Sequence, residues 1–309
     1  MLLLPVVGAA LLAVLAWDVF FTVFHSQGRG GPLNRRLSRG IWSLVRGAGG
    51  RRGAAPREGV LTLGGPLIVV VTLALWMLLL VVAFALVYYP WIGGFLLSPG
   101  ELRAPWLEAL YYSAYTAATL GLGDLIADSP ALRIVTVLEA FGGFALLSVS
   151  VTYFLAVYRE VIAMRSLAAD VSGLCRRGEE QVIDYAREEG REALARWCEH
   201  LSSALSRVLL AHFQYPVLHY FRAEQRARAL PVQVGALLDL RRRIEAEPAE
   251  SPLARFRRHP SYLALCDALE AYLHDVDVLF TPGGDRSSHV HGDVAAGAHR
   301  RLLTYMMYH

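Results

Sequence analysis

The sequence is poor in charge and in cysteine, and both shortages argue against classes of protein. Only 18% of its 309 residues are charged, against 55% hydrophobic, whereas soluble domains carry about 25% charged residues. A disordered chain is therefore excluded. There is no lysine, and the formal net charge of +3 gives no basic field for nucleic acid. The three cysteines, Cys175, Cys198 and Cys266, contain no CxxC pair, which argues against a disulfide framework or zinc ribbon and favours a reduced, cytoplasmic C-terminal half.

Motifs for catalysis and nucleotide binding are also missing. The sequence contains no GxGxxG after a strand pattern, no HExxH and no evident pair of catalytic carboxylates. We therefore expect no enzyme activity, no Rossmann domain and no cofactor. His289, His291 and His299 lie in a stretch rich in glycine and serine, where an HxH pattern is weak evidence for a transition metal.

Three segments are long and apolar enough to cross a bilayer, which takes about 20 residues. They are Leu2–Phe24, Pro66–Tyr89 and Ala131–Tyr158. The first lacks the positive start and small-residue cleavage site of a signal peptide, so we expect a retained helix. Polar side chains inside spans tend to face protein. We expect Asp18 and Thr22 to dock on the second span or on a neighbouring subunit. We expect Glu139 to pair with polar groups behind the short apolar segment that lies between the second and third spans.

Arginine placement indicates the orientation in the cell membrane. The loop His25–Val60 holds eight arginines against one acid, Glu58, and such loops stay cytoplasmic. The N-terminus is then outside and the C-terminal half inside. Within the loop, apolar residues alternate with arginines at helical spacing from Leu33 to Val45. This pattern fits either an interfacial helix that extends its arginines toward anionic headgroups or a solvated basic linker.

After Arg159, charged and apolar residues interleave at helical spacing, which predicts a helical cytoplasmic domain. The aromatic segment His212–Phe221 is interpreted as a core or docking segment of this domain, and Gly283–Ala298 as a mobile loop. The predicted fold class is an all-α membrane protein with three transmembrane helices. The expected parts are an extra transmembrane helix (1–25), a basic linker (26–60), a membrane domain (61–160) and the helical domain (161–309).

The most informative run is Trp106–Asp124, WLEALYYSAYTAATLGLGD, which is apolar but too short to span. We expect Leu107–Ala118 to form a short re-entrant helix whose C-terminal end favours a cation. Beyond it, Thr119–Gly123 alternates side-chain residues with glycines, which permit positive φ angles. Successive carbonyls can then face one direction, and rings of such carbonyls replace the hydration shell of potassium.

This run resembles the pore of the potassium channel superfamily, in the form of a bacterial two-helix-plus-pore-loop channel with an extra N-terminal helix. The resemblance covers roughly Pro66–Arg159, with TLGLGD where the family usually has TVGYGD. It implies K⁺ sites at Thr119, Leu120, Gly121 and Leu122, with Gly123 completing the selectivity filter. It also implies a homotetramer in the bilayer, because one pore loop supplies a quarter of each carbonyl ring.

The resemblance also implies roles for residues around the filter. Tyr111 and Tyr112 stand where aromatic bracing groups are found, and Asp124 follows the filter. We expect the Tyr115 hydroxyl to donate to Asp124, with packing as a core residue the alternative. Gly143 stands where relatives carry a gating glycine. Leu147, Val151 and Leu155 share its helix face, and this face forms either a gate or a helix-packing surface.

One departure from the family bears on selectivity, because Leu122 replaces a tyrosine that usually braces the filter. The leading hypothesis is a potassium-selective channel whose opening is regulated by the helical domain through an unidentified stimulus. A weakly selective cation channel and a non-conducting signalling or scaffold protein are the alternatives. Voltage gating is not expected, because no spanning segment carries regularly spaced arginines.

Overall fold

The computed structural model describes residues 3–25, 30–49, 58–97, 104–175, 182–184, 190–223, 225 and 228–280. Over these residues the chain is an all-α membrane protein with one minimal pair of strands. It divides into two compact units. The first comprises Met1–Leu44 and Pro66–Val157, and the second comprises Val45–Gly65 and Tyr158–His309.

Helices account for most of the described residues. In order they are α1 (Leu3–Val23), α2 (Pro32–Gly49), α3 (Glu58–Thr62), α4 (Gly64–Tyr88), α5 (Pro105–Ala117), α6 (Pro130–Cys175), α7 (Arg191–Gln214), α8 (Leu230–Ala246), α9 (Pro252–Phe256) and α10 (Pro260–Phe280). Two 3₁₀ helices, Tyr89–Gly94 and Pro216–Tyr220, follow α4 and α7. The strands β1 (Leu96–Leu97) and β2 (Leu125–Ile126) pair antiparallel, with Leu97 opposite Leu125.

Three helical stretches are long and apolar enough to cross a membrane, namely Leu3–Val23, Gly59–Gly94 and Pro130–Leu174. The prediction of three spanning helices is confirmed. The expected end of the third span at Tyr158 underestimates α6, which continues to Cys175. The segment from Arg159 to Cys175 has no proline and is rich in good helix formers, so nothing local ends the helix at Tyr158.

Helix α2 resolves the two interpretations of the basic loop in favour of a helix. Its apolar and polar faces are well separated, with Ser38 and Ile41 buried on one side and Arg35 and Arg39 exposed on the other. Pro32–Gly49 is therefore an amphipathic helix, as the first of the two interpretations requires.

Helix α5 is too short to cross a bilayer. Its 13 residues span about 20 Å, against roughly 30 Å of hydrocarbon. It lies between α4 and α6 in the chain, as expected for the re-entrant helix, although it starts at Pro105 and not at Leu107. The core around it is aromatic, with Trp76, Tyr88, Tyr112 and Tyr115 all buried.

The second unit has its own apolar core between helices α7 and α10, which pack along each other. Fully buried leucines from both helices fill it, including Leu201, Leu205, Leu269 and Leu273. Cys198 and Cys266 are free and buried in the same core. Burial raises the pKa of the Cys198 thiol to about 12, so this side chain is a neutral packing residue.

The aromatic segment His212–Phe221 lies beside this core, against which Phe213 packs. Val217 and Leu218 are buried, and the Phe221 ring lies against Gly65 at the start of α4. A Cβ built on Gly65 would approach Cδ2 of Phe221 to 2.6 Å. The close approach explains why glycine occupies position 65.

Two buried histidines make the helical unit sensitive to acid. Burial lowers the pKa of His212, and burial together with the charges of His212 and Arg222 lowers that of His219 further. Their rings lie 6.1 Å apart, and the Tyr272 ring lies 6.3 Å from His212. Below a pH of about 6.5, the unfolded chain binds more protons at these positions than the folded one. Acidification therefore lowers the free energy of unfolding.

We expect amide hydrogen exchange in α7, measured on the full-length protein and corrected for intrinsic rates, to lose protection as the pH falls below about 6.5. A His212→Gln/His219→Gln variant should lose most of this pH dependence, whatever its absolute stability. His259 is exposed on the surface, and His259→Gln is the matched control that should retain it. An unchanged pH profile in the double variant would contradict the assignment.

Candidate pore and filter

Helix α5 ends directly before Thr119–Gly123, the predicted filter, which is called the filter segment here. Pro105 occupies its first turn, and Glu108 is an acidic residue near the positive end of the helix dipole. At the other end, the amide of Thr119 donates to Thr116 O, and the amide of Leu120 donates to Tyr115 O, each at 2.9 Å. The last turn thus fixes the direction in which the filter segment leaves the helix.

The backbone of the filter segment alternates in handedness. Thr119, Gly121 and Gly123 have φ angles of +57°, +57° and +79°, whereas Leu120 and Leu122 between them do not have positive φ. Alternating left-handed residues turn every second peptide plane, so successive carbonyls can point to the same side. All five residues are exposed in the single chain, so their carbonyls are free of helix or sheet partners.

Thr119 shows that the pattern does not depend on glycine alone. A left-handed conformation costs a non-glycine residue about 1–2 kcal/mol, and among the described residues Thr119 is the one non-glycine residue that adopts it. Sequence reasoning found the two glycines but gave no reason to expect Thr119 to share their conformation. Strain of this kind accumulates at functional sites.

The hydroxyls of two tyrosines hold the residues after the filter, but not in the predicted way. The prediction that the Tyr115 hydroxyl donates a hydrogen bond to Asp124 is wrong, because Tyr115 donates to the carbonyl of Leu125 at 2.6 Å. Tyr111, one turn earlier on the same helix face, donates to Asp124 Oδ2 at 2.9 Å. The other Asp124 oxygen accepts from the amide of Leu125 at 3.0 Å. Two tyrosines therefore attach α5 to the exit of the filter.

Tyr112 connects α5 to the third spanning helix. Its hydroxyl lies 2.7 Å from Thr136 Oγ1 on α6. Its ring packs edge-to-face on three others, with centroid distances of 5.0 Å to Tyr88, 4.9 Å to Phe95 and 5.2 Å to Tyr115. Such contacts add about 0.5–1.5 kcal/mol each beyond burial, so Tyr112 fixes α5 against α4 and α6, and its support of the filter stays a prediction.

Glu139 is completely buried between three helices. One carboxyl oxygen accepts from the Tyr88 hydroxyl of α4 at 2.7 Å, and the other contacts the Ser113 hydroxyl of α5. Ser113 also lies 2.9 Å from the carbonyl of Val81 on α4. The expectation that Glu139 pairs with polar groups behind the re-entrant helix is confirmed, and the pairing ties α4, α5 and α6 together.

Gly143 marks the closest approach of α6 to α5. A Cβ at this position would lie 2.1 Å from the carbonyl oxygen of Ala117 and 2.8 Å from its Cα. Packing therefore accounts for this glycine, and its role as a hinge stays a prediction. Leu147, Val151 and Leu155 lie on the same helix and are each more than half exposed, so this stripe is largely uncovered by the described part of the chain.

Asp18 organises the helices that precede the pore. Its Oδ2 accepts from Trp76 Nε1 of α4 at 3.0 Å, and its Oδ1 accepts from the amides of Leu33 and Asn34 at the start of α2. Thr22 accepts from the amide of Gly31 at 3.0 Å. The expected docking of this face on the second span is confirmed. Its additional role as the N-terminal cap of α2 was not foreseen from the sequence.

The histidines considered for metal binding, His289, His291 and His299, and the predicted loop Gly283–Ala298 lie outside the described residues.

Part of the chain is similar to known ion channels. Residues 68–160 match the family model described as "Ion channel". An uncharacterized membrane protein, YdjJ of Bacillus subtilis (strain 168), is 27% identical over 232 residues, which cover 75% of this chain and 67% of that protein. No solved structure matches the chain significantly.

Proposed function

We propose that this protein is a tetrameric potassium-selective channel of the cell membrane, and the match of residues 68–160 to the ion channel family model supports this. The observation that carries the proposal is the alternation of left-handed residues at Thr119, Gly121 and Gly123. In the proposed mechanism, the carbonyls of Thr119 through Leu122 and the Thr119 hydroxyl replace the water around a permeating K⁺ ion.

The proposed assembly is a homotetramer. One chain supplies a single exposed filter segment, and closed rings of carbonyls need four copies around a common axis. The exposed stripe of Leu147, Val151 and Leu155 would then face the conduction path. Leu155 lies farthest along α6, where a narrowing of the path would close it by dewetting.

We further propose that the N-terminus is outside and that the helical unit is cytoplasmic and regulates opening. The excess of arginine around α2 supports the orientation. The contact between Phe221 and Gly65 supports the regulation, because Gly65 belongs to the first turn of α4. A movement of the Phe221 segment within its unit would thus act on the start of a pore helix.

The test is the reversal potential of the purified protein in a planar bilayer with K⁺ on one side and Na⁺ on the other. A reversal near the potassium equilibrium potential supports the proposal. Clear currents that reverse near zero would instead support a weakly selective cation channel. The observation that motivates this second candidate is Leu122, which lacks the bracing hydroxyl of tyrosine and is 56% exposed.

A Leu122→Tyr variant separates the two candidates. We expect little change in selectivity, because Tyr111 and Tyr115 already attach the residues after the filter to α5. Tyr112 in turn attaches α5 to α6. A large gain of K⁺ over Na⁺ selectivity would mean that leucine relaxes the filter. Absence of current in both proteins, and in a variant truncated near Ala168, would favour a non-conducting scaffold.

A further inference from the structure

The exposed side of α2 carries three arginines that the pore does not use. Arg35, Arg36 and Arg39, called here the arginine face, lie within one turn of each other and are all exposed. The Arg39 Nε donates to the backbone carbonyl of Arg35 at 3.3 Å. This bond leaves the terminal nitrogens of Arg39, and the whole guanidinium group of Arg35, available. Among the described residues, no carboxylate forms an ion pair with any of the three.

The position of the arginine face is set by polar contacts inside the spanning helices. Asp18, which binds the amides of Leu33 and Asn34, lies five residues before the end of α1, or about 7 Å inside it. Asn34 Oδ1 also accepts from Thr72 at 3.0 Å. Thr72 lies eight residues into α4, or about 12 Å from its start.

These contacts fix the first turn of α2 against α1 and α4, about 7–12 Å inside the ends of those two helices. Arg35 and Arg36 follow Asn34 directly, and Arg39 is one turn further. Leu44, an apolar residue further along the same helix, is 74% exposed. A water-exposed linker would not need these hydrogen bonds to the spanning helices. An interfacial helix whose arginines reach lipid headgroups has to be held beside those helices.

The charge of α2 identifies the occupant. The helix contains no acidic residue, and the buried Asp18 is already occupied by two amides and the Trp76 indole. Guanidinium groups bind phosphate oxygens through paired hydrogen bonds. We propose that the arginine face is a binding site for the phosphate groups of anionic lipid headgroups, independent of whether the pore conducts.

The test uses the full-length protein, purified with mixed phosphatidylglycerol and phosphatidylcholine and analysed by native mass spectrometry for the lipids that each chain retains. Wild-type protein should retain phosphatidylglycerol preferentially. Each arginine at an anionic surface contributes about fivefold to such binding. The R35Q/R36Q/R39Q variant should therefore lose at least about tenfold of the phosphatidylglycerol-to-phosphatidylcholine ratio.

Two variants serve as controls. R191Q/R255Q/R258Q removes the same charge from exposed positions of the helical unit and should retain the wild-type lipid ratio. R35K/R36K/R39K keeps the charge and should retain most of the preference. If the triple glutamine variant does not fold, R36Q alone should still lower the ratio about fivefold.

Three results would overturn the proposal. The first is an unchanged lipid ratio in R35Q/R36Q/R39Q, and the second is an equal loss in R191Q/R255Q/R258Q, which would mean that only net charge matters. The third is complete displacement of the lipid by inorganic phosphate, which would identify a soluble anion site. Lipid retention is read without any current, so its failure is distinguishable from failure of the proposed channel function.

Discussion

Replacing Gly143 with alanine is expected to disrupt the pore, whereas the same change at the adjacent Gly142 is not. The new methyl group at position 143 would lie 2.1 Å from the backbone carbonyl of Ala117. Backbone at the end of α5 cannot rotate away as a side chain can, so α5 and α6 must separate. Overpacking of this kind costs about 1–3 kcal/mol, and it acts on the turn from which the filter starts.

The measurement for this pair is K⁺ flux into vesicles, together with the thermal stability of the purified assembly. A Cβ placed on Gly142 would meet no atom of another element within 4 Å, and alanine favours a helix there. We therefore expect Gly142→Ala to keep flux and stability, and Gly143→Ala to lose both. Equal behaviour of the two variants would show that the close approach to Ala117 is unimportant.

Replacing Gly121 with alanine is expected to abolish ion flux while leaving the chain folded. The φ angle of +57° at Gly121 costs alanine about 1–2 kcal/mol. The single chain offers open space around the new methyl group, so the fold itself is little affected. The strain is relieved most simply by a flip of the peptide plane, which turns one carbonyl out of its ring.

The contrast with a glycine outside the filter makes this prediction specific. Gly93, in the 3₁₀ helix after α4, is exposed, has no neighbour near a built Cβ and does not have positive φ. Gly93→Ala should conduct as the wild type does. Retained K⁺ flux in Gly121→Ala, with assembly verified by size-exclusion chromatography, would remove the filter role from this residue.

Hydrophobic patterning was sufficient to predict the three spanning helices and the short helix between the second and third. Spans are recognised by length and apolarity alone, and α1, α4, α5 and α6 begin and end close to the expected residues, except where α6 continues to Cys175. The interior position of Glu139 followed from the cost of a charge in lipid. Neither inference requires knowing which side chains meet when the helices pack.

The hydrogen-bond partners of the residues after the filter depend on how the filter segment packs beside α5, and they were predicted less well. Tyr111 and Tyr115 lie one turn apart on the same face of α5, so the sequence alone does not decide which hydroxyl reaches Asp124. The outcome depends on how far the filter extends beside the helix, and Tyr111 forms the bond because Asp124 lies level with the earlier turn. The capping of α2 by Asp18 likewise joins residues 15 and 16 positions apart, beyond any local motif.

The burial of Glu139 has a consequence for the biogenesis of the protein. A carboxylate inside a spanning helix adds up to about 2.5–3.5 kcal/mol to the free energy of membrane insertion. Its partners, Tyr88 and Ser113, are both synthesised earlier, so α4 and α5 can already be in the bilayer when α6 emerges from the ribosome. Because of this order, the Tyr88 and Ser113 hydroxyls can already be in place to receive Glu139. Insertion of α6 into the membrane would then depend on the earlier assembly of α4 and α5.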